Sequence, residues 1–107
     1  MAVFSPSDVV AAIATAPGAG AIAIVRLAGP GALALADRLY RGAAPALAAR
    51  PAGTFAHGPA VAPGSGEVLD DALWLVFRAP HSYTGEDAVE IQCHGGSQPA
   101  RRILDAL

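Results

Sequence analysis

Residues 79–96 read APHSYTGEDAVEIQCHGG. The inner stretch Ala88–His94 decides how the chain folds. Val89, Ile91 and Cys93 alternate with Ala88, Glu90, Gln92 and His94, the two-residue period of a half-buried strand. Glycine turns close it on both sides, Thr84-Gly85-Glu86-Asp87 before and His94-Gly95-Gly96 after. This geometry separates groups that look like a reactive cluster. Cys93 and His94 are neighbours and point to opposite faces, so one ion does not readily take both, and a Cys-His nucleophile pair fails for the same reason. Glu90 and His94 share a face but stand roughly 13 Å apart along an extended strand. Neither C-x-x-C nor H-E-x-x-H spacing occurs. Cys93 reads as an inert core thiol, and His57 and His81 as satisfied structural histidines.

Working outward, Val9–Thr15 and Ala21–Leu27 are short apolar runs, possible two-face-buried strands, joined by a Pro-Gly-Ala-Gly turn that predicts an antiparallel pair. Gly29–Arg41 carries the period of a helix, with Pro30 in its first turn and Gly42 as a stop. Residues 43–53 form an Ala/Pro-rich connector. Thr54–Val61 reads as a strand broken near Gly58-Pro59, and Leu69–Arg78 as its hairpin partner. In the latter, Leu73, Leu75 and Phe77 oppose Trp74, Val76 and Arg78. Gln98–Leu107 begins a helix with Ile103, Leu104 and Leu107 on one face. It is still running at the last residue, so we expect residues 1–107 to be one domain at the front of a longer protein. The fold class is α+β: a mixed or antiparallel sheet of about five strands with two to three helices.

The length permits a single core. Apolar residues make up 53% and charged residues 15%, which excludes a disordered chain, but alanine dominates the apolar count. The core must lean on Ile13, Ile22, Ile24, Val25, Leu33, Leu39, Trp74, Val76, Phe77, Val89, Ile91, Ile103 and Leu104. So thin a core points to help from a partner surface or from sequence beyond these residues. The net charge is −2, all seven basic residues are arginine, and Arg101-Arg102 is the one basic cluster. This argues against a grip on a phosphate backbone. A single cysteine makes no internal disulfide. No secretory signal is apparent, and the apolar runs are far short of a membrane span, so a cytoplasmic location without a membrane partner is the default.

Two positions carry candidate binding chemistry. Glu90, with Gln92, stands on the polar side of its strand, where a carboxylate accepts two parallel N–H donors such as an amino-pyrimidinone edge presents. The plainer reading is a solvated face. Arg26 interrupts an apolar run and either meets a carboxyl or carbonyl group of the same ligand or forms a salt bridge at the strand end. GAGAIA at Gly18–Ala23 formally fits a dinucleotide fingerprint, but a strand-like run follows where a helix is required. A P-loop is excluded, because the chain has no lysine.

Ile13–Pro30 (IATAPGAGAIAIVRLAGP) and Ala79–Gly96, with HGP at His57–Pro59 and GEVLDDALWLVFRAPHS between them, resemble the N-terminal domain of the tRNA modification GTPase MnmE (TrmE) family. The resemblance implies a fold similar to the tetrahydrofolate-binding domains of aminomethyltransferases. It implies a homodimer that holds 5-formyltetrahydrofolate or 5,10-methylenetetrahydrofolate near its interface. It also implies a following helical domain with an inserted G domain that uses GTP, Mg and K. With MnmG (GidA), the family modifies the wobble uridine of tRNA. Arg26 matches the folate-contacting arginine and Glu90 the pterin-edge acceptor; a further basic contact of the family lies beyond residue 107. Ala19, Ala28 and Cys93 stand where Arg, Ser and Gly are common. The resemblance implies no catalytic residue within 1–107. The competing expectations are a dimerisation scaffold without folate, and a nucleotide-binding βαβ module at Gly18–Ala23.

Overall fold

The computed structural model describes residues 8–15, 21–80, 82, 85–96 and 98–107. Five strands run antiparallel: β1 (Val10–Ile13), β2 (Ile22–Ala28), β3 (Thr54–Val61), β4 (Val68–Phe77) and β5 (Ala88–His94). Their spatial order is β1-β2-β5-β4-β3, which puts the alternating strand of the opening stretch at the centre. Helices α1 (Ala32–Asp37) and α2 (Gln98–Ala106) complete an α+β fold.

Register sorts the side chains into two faces. Ile13, Val25, Ile91, Trp74 and Ala56 form one row across all five strands, and β2, β4 and β5 bury this side completely. Both helices share its core: Leu33 and Ala36 of α1, and Ala100 and Ile103 of α2. The adjacent row, Ala12, Arg26, Glu90, Leu75 and Phe55, lies on the opposite face, where the described chain places no helix. Apolar side chains on that face are left in solvent, with Ile22 57% and Phe55 67% exposed.

Trp74 is the largest fully buried side chain. Small residues on the neighbouring strand, Ala56, Gly58 and Ala60, make room for it, and its Nε1 donates to the Gly58 carbonyl at 3.0 Å. Tyr40 meets the indole edge-on at 5.3 Å, a favoured aromatic geometry.

Four expectations are corrected. The helix expected over Gly29–Arg41 covers residues 32–37, because Leu39–Arg41 turns away to line the outer edge of β3. There Arg41 N donates to Pro59 O and Val61 N to Leu39 O, blunting an otherwise open edge. Strand β3 is not broken at Gly58-Pro59. Residue 59 directs its polar groups toward Arg41, away from β4, so proline costs no bond of the β3–β4 ladder. The connector 43–53 contains a 3-10 turn, Leu47–Ala49, whose Leu47 is fully buried. Asp37 holds the turn by accepting from Leu47 N and Ala48 N at 2.7 and 2.9 Å. Ile22 is not core, and Ile24 and Phe77 lie half-buried on the open face; β2 buries one face rather than two. Leu27, Tyr40 and Leu47 take up the core instead.

A Cβ on Gly58 would stand 2.5 Å from the Gly42 Cα, a clash with backbone. Gly58→Ala is therefore expected to lower unfolding free energy by about 1–3 kcal/mol. Gly64→Ala, with nothing within 4 Å of the added atom, is expected to stay within about 0.5 kcal/mol. Urea midpoints of the two variants check this.

Candidate functional site

Arg26 and Glu90 face each other directly across the β2–β5 ladder. Arg26 Nε and Nη2 both donate to Glu90 Oε2, at 2.9 and 2.6 Å. The side chains are 37% and 10% exposed, so the carboxylate is the more desolvated partner. The two candidate binding residues thus form one unit. Arg26 thus forms a salt bridge, one of the two roles open to it, but within β2 rather than at the strand end. Both bonds fall on a single oxygen, and Glu90 Oε1 takes no part in them.

Small residues flank the pair on the Arg26 side, while Leu75 stands beside Glu90. Ala12 lies beside Arg26, and Ala28 pairs with Ala88 two register positions away on the same face. Their short side chains leave an open cavity of about 520 Å³ lined by Val10, Ala12, Ala14, Arg26, Ala28 and Glu86. An apolar floor beside a held charged pair suits a flat, polar-edged ring better than a flexible chain. The turn leading into β5 is tied down from both sides: Ala79 N donates to Asp87 Oδ1, and Gly29 N to Asp87 O, each at 2.9 Å.

A second group of polar residues stands at the other end of the sheet: His57, Asp71 and His94 on the open side, and Asp70, which shares the side of Trp74 and Ala60. His94 closes β5, and the Asp70 carboxylate grips it twice. Oδ2 accepts from the His94 backbone N–H at 2.7 Å and Oδ1 lies 2.8 Å from Nδ1. Pairing between β4 and β5 stops at Leu73–Gln92, so this side chain serves the strand end where the ladder no longer does. His57 Nε2 lies 2.7 Å from Asp71 Oδ2 across the β3–β4 hairpin. Ile22, Leu73, His57, Asp71, Gln92 and His94 line a cavity of about 320 Å³ between the two pairs. Sequence reasoning took His57 as a lone residue and missed Asp70 and Asp71. Their signal was two charges inside a strand otherwise rich in large apolar residues.

Cys93 lies on the core side, with Sγ 3.5 Å from the Ala23 carbonyl, while His94 is exposed, so the two do not converge. Burial, with the Asp70 charge behind it, pushes the thiol up to about 11. No group of three or more His, Cys, Asp or Glu gathers as for a metal ion among the described residues. The run after Gly20 is the strand β2, which removes the βαβ module. Gly18–Gly20 including Ala19, His81 and Thr84 lie outside the described residues.

The sequence profile described as "GTP-binding protein TrmE N-terminus" matches residues 9–107. The chain belongs to this family. It is 52% identical over 100 residues to the tRNA modification GTPase MnmE of Thermus thermophilus, covering 94% of this chain and 23% of that one. It is 47% identical to the MnmE of Chlamydia felis over 94% of its own length and 22% of the relative's. It is 50% identical to that of Symbiobacterium thermophilum over 92% and 21%. The chain therefore spans about a quarter to a fifth of these relatives. No described helix is long and apolar enough to cross a membrane.

In this TrmE N-terminal domain the His94–Asp70 contact makes stability depend on pH. The side-chain hydrogen bond and the charge of Asp70 raise His94 above its ordinary 6.5. Burial works to raise Asp70, but the His94 bonds outweigh it and leave the carboxyl below its ordinary 3.8. The histidine contribution is full below 6.5 and is lost as pH rises through the raised folded value. The aspartate contribution is full above 3.8 and is lost as pH falls through the lowered folded value. Urea midpoints should therefore be greatest at about pH 4–6.5 and decline on both sides, with Asp70→Asn flattening both flanks. The native Cys93 thiol should resist alkylation at neutral pH and react once the chain is unfolded, as a thiol-reagent time course will read.

Proposed function

We propose that this domain binds a tetrahydrofolate one-carbon carrier, as 5-formyl- or 5,10-methylenetetrahydrofolate, on the open face of its sheet. In this reading Glu90 accepts N–H donors from the amino-pyrimidinone edge of the pterin, and Arg26 holds the carboxylate in place. The observation that carries it is the Arg26–Glu90 pair, desolvated on its acidic side and bordered on the Arg26 side by an open cavity with Ala12, Ala14 and Ala28 in its lining. A charge pair in mid-face is a poor way to stabilise a sheet against apolar alternatives, which favours a binding role. The ring would rest on Ala12 and Ala28, where larger side chains would fill its space.

The domain would act within a longer protein. The relatives' name, tRNA modification GTPase, supports a role in tRNA modification. The wobble uridine as its target, MnmG and tRNA as partners of the whole protein, and a cytoplasmic location belong to the same proposal. GTP, Mg and K would belong to the G domain beyond this chain. Residues 1–107 would supply the carrier site and an interface. Exposed apolar residues on the open face, Ile22, Phe55 and Leu73 among them, support pairing with a second copy.

Calorimetry with 5-formyltetrahydrofolate tests the site. Glu90→Ala and Arg26→Ala are each expected to weaken binding by about tenfold or more, roughly 1.4 kcal/mol. Unchanged affinity in both variants, with native circular dichroism, would remove the assignment. Light scattering tests the interface: a dimer that Phe55→Asp converts to monomer is expected. A dimer indifferent to folate would favour the scaffold reading, and a monomer at high concentration would overturn the homodimer.

A further inference from the structure

We propose that His94 is a second contact for the same ligand, its Nε2 donating a hydrogen bond to a carboxylate of the glutamyl tail. The inference rests on the folate reading above.

Its basis is the arrangement of the open face. Glu90, Gln92 and His94 are successive residues on one side of β5, and their partners on β2 are Arg26, Ile24 and Ile22. From Glu90 to His94 the strand advances roughly 13 Å. Leu73 stands across from Gln92, and Ile24 across from it on the other side, so the middle of the path is largely apolar. The face thus runs from a carboxylate, over an aliphatic floor, to an imidazole beside a cavity. A pteroylglutamate has the complementary order: an N–H-rich ring edge, an aromatic linker, and carboxylates at the far end. With the ring edge held at Glu90, a ligand lying along β5 brings its tail toward the cavity that His94 lines.

Asp70 makes the imidazole suitable for this. It occupies Nδ1 and the backbone N–H of the same residue, so both ring orientation and tautomer are set, and Nε2 is the nitrogen left for a ligand. The side chain is 73% exposed and its Asp70 partner 14%. The hydrogen bond and charge of Asp70 also hold the ring protonated to higher pH than a histidine without such a partner.

The charges around the cavity determine how binding depends on pH. The described titratable groups at it are His57 on β3, Asp71 on β4, and Cys93 and His94 on β5, with Asp70 of β4 behind His94. When His94 is protonated, its charge balances that of Asp70. When it is neutral, the Asp70 charge is left uncompensated and repels a carboxylate. Tail binding therefore belongs to the protonated state and weakens as pH rises through the raised value of His94.

The test compares 5-formyltetrahydrofolate with the primary carboxamide of 5-formyltetrahydropteroate, which has the same ring and linker but neither glutamate nor any carboxylate. Calorimetry at about pH 6 and pH 8 should show the glutamate-bearing ligand binding the native chain about three- to fivefold more tightly at the lower pH, a solvent-exposed ionic contact. The carboxamide should lack that difference. His94→Gln should abolish it while retaining Glu90-dependent binding of both ligands, and Asp70→Asn should shift it to lower pH. The His94 ring proton resonance, followed by NMR, should titrate at higher pH with the glutamate-bearing ligand and not with the carboxamide. Equal affinities for the two ligands at both pH values, with an unmoved His94 titration, would overturn the contact and leave the Glu90 site standing. Absence of binding by either ligand would overturn both.

Discussion

A five-stranded sheet that covers one face with helices must do something with the other. That constraint governs this domain. The covered face is built from the row Ile13–Val25–Ile91–Trp74–Ala56 and closed by α1 and α2. The open face carries its polar groups in the central strand, where Glu90 and Arg26 answer each other across a single register position. Because the side-chain period of a strand is two, a slip of one residue would exchange the faces, putting Glu90 against the helices and Ile91 in solvent. The antiparallel ladders on both sides of β5 prevent it.

Trp74 anchors the half of the core where alanine and glycine would otherwise bury little. Its indole needs the small residues of β3 beside it and a carbonyl for its N–H, and Gly58 supplies both. The same closeness brings Gly58 against Gly42, which pulls the segment after α1 onto the edge of β3. The early end of α1, the continuity of β3 through Pro59 and the covered sheet edge are thus one packing solution.

The open face gives the family assignment a physical sense. A small domain that leaves Ile22, Phe55 and Leu73 exposed retains surface for association. Its charged centre is the Arg26–Glu90 pair, and two His–Asp pairs stand at one end of the sheet. The chain covers about a quarter to a fifth of the length of its relatives.

The sequence by itself determined the antiparallel β1–β2 pair, the β3–β4 hairpin, the faces of β4 and β5, and the core position of Cys93, because local alternation encodes them. It also singled out Arg26 and Glu90, as charges breaking apolar or alternating runs. What it did not reveal depends on contacts between distant residues. Arg26 and Glu90 are 64 positions apart, and only strand order makes them partners. Asp70 reaches His94 across 24 positions, at a place where a ladder ends. Ile22 looks like core in the sequence, and its exposure follows from which side of the sheet the helices cover. Hydrophobic periodicity states that a strand has two faces; tertiary packing decides which of them meets water.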